Sequence, residues 1–249
     1  MGARRTCMRW LLLLALACAP GLQAETPALA PVDLFLVAKI TIAPDGRISE
    51  LAWLERDEGR LGVARTIEPT VLALEFVPGH VDGVPAVTET TLRTVLRATP
   101  VAGGNWELAI RWAATGARAE RMGPPRYPAD ALVRGVEAEV SSDIEIDVDG
   151  RARVVAASVE SSAAGQGLRR AFLGASEKAI AGWRFVPERV GGHPVAGRMR
   201  VPVSFCLDDG AWCQARNLAR LAEAGPGADE PVPLDSVARL KSELPGAGS

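Results

Sequence analysis

The sequence has no excess of positive charge: 28 Lys and Arg stand against 30 Asp and Glu. Taking away residues 1–24 removes Arg4, Arg5 and Arg9 and no acid, leaving 25 basic side chains. Nucleic acid is gripped through clustered Lys and Arg, so it is excluded as a partner. Histidine is scarce as well. His80 and His193 each lie beside a glycine in a predicted turn, with no nucleophile or ligand set near them in sequence. An enzyme needs such groups within reach of one another, so the reading is non-enzymatic, with no cofactor and no metal. The acids of "EIDVDG" at 145–150 alternate like a calcium loop, but the pattern runs on into "RARVV" without its closing Glu. They read as the wet face of a hairpin. "GQG" at 165–167 is too bare for a phosphate loop and reads as a helix start.

Long apolar runs are also missing. Trp10–Ala19 is the main one, about half of the roughly 20 residues that cross a bilayer. Three arginines precede it, and Pro20 and the small residue Ala24 follow. Basic, apolar, cleavable is the order of a secretory leader, assigned to residues 1–24. Retention of this segment as a membrane anchor is the alternative, and membrane contact is expected only then. Two of the four cysteines, Cys7 and Cys18, leave with the leader. Cys206 and Cys213 remain as an even pair in an oxidising compartment, which favours a disulfide. Its short loop limits the entropic gain to roughly 2–3 kcal/mol. Two cysteines alone make an incomplete zinc site.

What the chain does contain is a repeat. "FVPGHVDGVPA" from Phe76 returns as "FVPERVGGHPV" from Phe185. Asp45-Gly46-Arg47 likewise matches Asp149-Gly150-Arg151. Around each Asp-Gly turn, apolar residues alternate on both sides, which predicts a hairpin. Leu168, Phe172, Ala175, Ala179 and Gly182 fall on one helical face in the second copy. In the first copy Pro69 interrupts the helical pattern and is expected in the first turn of a short helix starting near Glu68. Each copy closes with a strand, "TTLRTVLRA" and "GRMRVPVSF". The expected class is α+β, with two small strand-strand-helix-strand domains, each an antiparallel sheet under one helix.

The expected boundaries are 32–114 for the first domain, with Asn105–Ala113 as an extra strand, and 115–125 for a linker. The second domain spans 126–224 and includes a short amphipathic helix around Trp212 and Leu218. Residues 225–249, rich in Gly, Pro and Ala, read as a flexible tail. Trp183 and Phe185 read as core at the junction of helix and sheet. Trp53, Trp106 and Trp112 are assigned either to covering the first sheet or to facing a partner.

These residues carry a resemblance. Tyr127-Pro128, Gly135-Val136, Asp149-Gly150-Arg151 and Trp183-x-Phe185-x-Pro187, in that order, resemble the C-terminal domain of TonB energy transducers over about Pro124–Leu207. The first copy is similar to a diverged second example, with Leu74 where the Trp would stand. The resemblance implies a three-stranded antiparallel sheet, a periplasmic location, and docking on outer-membrane receptors by pairing their short N-terminal segment to the sheet edge. An edge strand offers unpaired N–H and C=O groups that an extended peptide satisfies. That edge is assigned to Arg198, Met199, Arg200, Val201, Pro202, Val203 and Ser204. Pro202 fits an edge and removes one contact from it. The partner is thus a protein or peptide, and a homodimer is compatible with this surface. The rival functions are an inner-membrane-anchored energy transducer for TonB-dependent transport and a cell-envelope protein that holds peptidoglycan.

Overall fold

The computed structural model describes residues 30–163, 165–208, 210–221, 231–241 and 244, so the leader expected at 1–24 lies outside it. In the N-terminal half, β1 (Val32–Ile42) and β2 (Ile48–Trp53) form an antiparallel hairpin. Next come α1 (Glu58–Leu72), the short strands β3 (Phe76–Val77), β4 (His80–Val81) and β5 (Val84–Pro85), and the long β6 (Thr88–Val101). β6 returns antiparallel beside β1, with Ile42 opposite Thr88. β7 (Asn105–Gly116) folds back along β6 as the expected extra strand. Gly103 and Gly104 both take positive φ in that turn.

β8 (Arg118–Arg121) and α2 (Ala129–Val133) lead into the C-terminal half. There β9 (Ala138–Ile146), β10 (Ala152–Ser161), α3 (Gln166–Ile180) and β11 (Arg184–Val186) run in the order of the first half. After β12 (Glu188–Val190), β13 (His193–Val195) and β14 (Gly197–Phe205), the chain forms α4 (Ala211–Leu221), β15 (Val232–Asp235) and β16 (Arg239–Leu240). β14 lies antiparallel beside β9, with Ile146 opposite Gly197. The class is α+β with antiparallel pairing. The order β2-β1-β6 in one sheet repeats as β10-β9-β14 in the other.

The two repeated motifs meet in space, which explains why they recur together. Phe76 N–H donates to the Gly46 carbonyl at 2.9 Å, and Phe185 N–H donates to the Gly150 carbonyl at 2.9 Å. Gly46 has φ +90 and Gly150 φ +76, and a Cβ on either would overlap the carbonyl oxygen of its phenylalanine. Only glycine fits a turn that is both left-handed and pressed against backbone. The Phe-Val-Pro segment is therefore strapped under the hairpin turn in both halves.

Alternating burial shapes the strands. Leu36, Ala38, Ile40 and Ile42 face one hydrophobic cluster with Phe76, Leu92 and Leu96. Val140, Ile144, Ile146, Met199, Val201, Val203 and Phe205 face the other, with Phe172, Trp183 and Phe185. On α3 the buried line is Phe172, Ser176 and Ile180, while Gly182 lies exposed beyond the helix.

α1 departs from expectation. It starts at Glu58, where the Asp57 carboxylate accepts the Arg60 N–H at 2.8 Å, and Pro69 sits inside its last turns. Burial of Ala64, Ile67 and Val71 holds the longer helix together, outweighing the one hydrogen bond that Pro69 cannot make. Trp53 donates to Glu68 Oε2 at 2.9 Å and ties the helix to the hairpin.

The expected linker at 115–125 is not a spacer. β8 pairs with β11, and Ala117 is buried in the C-terminal cluster. The tail expected to be flexible from 225 also contains paired strands. β15 adds to β14 and β16 pairs with β3, because Val-Pro-Leu-Asp and Arg-Leu are extended, partly apolar segments that find open backbone. The halves also share a sheet, since β12 pairs with β6 at Glu89 and Thr88.

Candidate functional site

β14 is built by strict alternation. Met199, Val201, Val203 and Phe205 are 1%, 0%, 4% and 2% exposed, while Arg198, Arg200 and Ser204 point to solvent. All seven residues assigned to the docking edge lie on this strand. One flank pairs with β9 along the full length. On the other, β15 meets it at Arg198, Met199 and Arg200, and among the described residues no further strand lies there.

The direction of the backbone follows from one bond. Arg198 N–H donates outward to Asp235 Oδ1 at 2.6 Å. Backbone groups alternate flanks along an antiparallel strand, so Arg200 and Pro202 also face outward. Pro202 therefore removes no bond to β9; its missing donor falls on the outer flank. On the solvent face, Arg200 forms a two-pronged pair with Asp143 at 2.7 and 3.1 Å. That hydrogen bond, ahead of the charge attraction, holds the Asp143 carboxyl below its ordinary value and raises the Arg200 guanidinium above its own.

The remaining motif residues support this strand from below. The Tyr127 hydroxyl donates to the Val136 carbonyl at 2.8 Å, and its ring meets Phe172 and Phe205 edge-on. Burial first, and then the charge of Glu137, pushes the Tyr127 hydroxyl above its usual pKa. The Pro128 carbonyl starts α2, and Gly135 ends it at φ +62. Trp183 donates to the Gly123 carbonyl at 2.8 Å. Asp149 lies in the β9–β10 turn, where Asp147 Oδ1 accepts the N–H groups of Asp149 and Arg151 at 2.9 and 2.8 Å. Pro187 lines a cavity with Val186, Arg189 and Glu89 between the two halves.

Cys206 and Cys213 are disulfide-bonded, with Cα atoms 5.8 Å apart, joining β14 to α4. The buried Glu137 lies against them, its carboxylate within 4.8 Å of both sulfurs. It accepts N–H groups from Leu207 at 3.0 Å and Trp212 at 3.1 Å, so it caps the start of α4 rather than offering a metal its oxygens. Sequence reasoning missed Glu137. Its signal is Gly210, where any Cβ would overlap the Glu137 carboxylate.

A second buried acid was missed as well. Glu188, 4% exposed, accepts from Thr90 Oγ1 at 2.6 Å, Ser236 Oγ at 2.8 Å and Val237 N–H at 3.1 Å. Burial pushes its pKa up, against those hydrogen bonds and the nearby Arg93 charge. One carboxylate thus joins β6, β12 and the segment after β15. The histidines take no part in either cluster: His80 and His193 lie exposed in the hairpins β4–β5 and β12–β13. Trp53 and Trp112 are half-buried, and Trp106 on β7 is exposed.

Residues 123–207 match the family described as Gram-negative bacterial TonB protein C-terminal. Protein TonB of Xanthomonas campestris pv. campestris (strain B100) is 40% identical over 89 residues, covering 36% of this chain and 37% of that protein. Protein TonB of Vibrio cholerae serotype O1 is 34% identical over 84 residues, 34% of this chain and 32% of that protein. The chain therefore spans about a third of the length of these curated relatives.

Proposed function

Because residues 123–207 belong to the TonB C-terminal domain family, we propose that this chain is a periplasmic, non-enzymatic docking protein of TonB-dependent transport. It receives an extended segment of a partner, an outer-membrane receptor N-terminus, as an added strand on β14. The N-terminal half, 32–114, is its diverged second copy, and 126–224 is the docking copy. The observation that carries this reading is the outer flank of β14, where outward-facing backbone lies beyond the three positions that β15 covers. Unpaired edge backbone is the physical basis of strand addition.

The test uses a bromoacetyl peptide copied from a receptor N-terminal segment and the chain carrying Pro202→Cys. Both native cysteines of the second half are bonded to each other and do not compete. Coupling at Pro202→Cys, but not at Lys178→Cys on the exposed side of α3, is the expected result. Equal coupling at both positions, or none at either, removes the docking reading. Mass spectrometry of the periplasmic form is expected to show an N-terminus at Glu25; retention of residues 1–24 in the membrane fraction favours the anchored transducer.

A further inference from the structure

The docking flank of β14 already holds a strand, and that strand describes its own replacement. Val232 lies opposite Arg200, Pro233 opposite Met199, and Asp235 opposite Arg198, with the register shifting by one residue at Leu234. Arg200 faces outward, so Val232 faces it in a hydrogen-bonded pair, and Pro233 turns its missing donor away from β14. Proline is tolerated there without loss to the ladder. The final bond is made by a side chain: the Asp235 carboxylate, not a backbone carbonyl, takes the Arg198 N–H.

The surroundings of that carboxylate carry both signs of charge. Asp235 shares the lining of a cavity of about 500 Å3 with Arg151, Arg153 and Arg198 and with the acids Glu145 and Asp147. Arg151 is paired with Asp149, and Arg153 with Glu145, whereas Arg198 makes no close ion pair among the described residues and lends its charge to Asp143. A carboxylate that accepts the backbone N–H of a residue with a cationic side chain is held by a charge-assisted hydrogen bond, and that is a recognition element for a carboxylate.

We propose that Val232–Asp235 is a resident ligand of the docking edge, and that the partner strand is an extended peptide with a carboxylate at the position of Asp235, which takes the edge by exchanging with these residues. This rests on the docking reading above. Three paired positions hold the tail, so a strand that runs on past Val201 gains the outward-facing Pro202 carbonyl as an acceptor that the tail does not use. The tail has the opposite advantage of being on the same chain, where tethering by a short linker supplies an effective concentration on the order of millimolar. It therefore raises the threshold for docking without closing the edge. Exchange reaches further than the edge. Ser236 and Val237 follow directly on Asp235 and supply two of the three hydrogen bonds to Glu188, so drawing the tail away loosens the seam to β6.

The test uses the full chain and a fluorescein-labelled peptide of residues 231–241. Asp235→Ala in the chain weakens the resident strand. The peptide is then expected to bind on the order of tenfold more tightly than to the unsubstituted chain, the scale of one charge-assisted hydrogen bond. Asp235→Ala in the peptide is expected to lose about the same factor. Equal affinity for both chains, or indifference to the peptide's aspartate, overturns the proposal. If Asp235→Ala destabilises the chain, hydrogen exchange of the chain that keeps Asp235 and carries Pro202→Cys decides: coupling the receptor-segment peptide at that cysteine must speed exchange at 232–240. Coupling without that acceleration sinks the exchange and leaves docking intact, whereas absence of coupling sinks docking itself.

Discussion

The third strand of each repeat has the same inner neighbour and a different outer one. β6 is covered by β7 from Thr91 to Val101 and by β12 at Thr88 and Glu89. β14, its counterpart, meets β15 only at Arg198–Arg200. The buried sides correspond closely, with Leu92 matching Val201 and Leu96 matching Phe205, all buried. The core therefore does not distinguish the strand covered along its length from the one covered at three positions. What differs is the chain beyond the strand. After β6 a two-glycine turn sends the chain straight back as β7. After β14 a disulfide and the Glu137-capped α4 turn it away, so the strand that does cover the flank comes from further along.

The largest expected effect tests whether the halves stand independently. Val201→Asp buries an unpaired charge at a fully buried site, costing several kcal/mol, as much as a small domain holds. Leu92→Asp does the same to the first cluster. If each variant leaves one melting transition intact, the copies fold separately. If each abolishes the whole transition, the shared sheet makes them one cooperative unit. An unchanged melt for Val201→Asp would refute the inward assignment of that face.

Next in size are the strap glycines. Gly46→Ala and Gly150→Ala both force a Cβ onto a phenylalanine carbonyl at positive φ, a strain of about 1–3 kcal/mol each plus the displacement of that segment. Equal losses in denaturant midpoint are expected, because the contact is the same in both halves. A neutral result at Gly46 alone marks the first copy as relaxed at this point.

The disulfide distinguishes the halves differently, since only the second has one. Reduction of Cys206–Cys213 releases a small loop, an expected loss of about 2 kcal/mol without global unfolding. Thiol labelling under native, non-reducing conditions should find both cysteines protected.

The smallest effects are those of pH, and they run in opposite directions. Glu188 has a raised pKa, so the folded chain binds its proton more readily than the unfolded chain. Its contribution is full below the ordinary value of 4.5 and is lost as pH rises through the raised one. Asp143 is lowered by Arg200, so its contribution is present above the ordinary 3.8 and fades as pH falls through the lowered value. Glu188→Gln should flatten the melting temperature just above pH 4.5 and leave the acid limb unchanged.

Much of the fold could be read from short-range pattern. Alternation gave the hairpins, and the Asp-Gly turns marked their tips. Pro202 lies on β14 beyond the three positions that β15 covers, and its missing donor is a local fact that the sequence states. Pro69 misled for the complementary reason: the penalty is local, whereas the burial of Ala64, Ile67 and Val71 that outweighs it belongs to tertiary packing. Asp235 and Glu188 carried no readable signal, because each acts on groups brought near it only by folding.

The sequence by itself determined the repeated unit, since periodicity, turn glycines and apolar alternation act over a few residues and need no distant partner. Only the tertiary structure decided how far the outer flank of each third strand is covered. Backbone N–H and C=O groups are the same at every residue, so nothing written in a strand says which other strand will cover it. That choice follows from where the remaining chain is free to go, and here it led β7 to the first copy and Val232–Asp235 to the second.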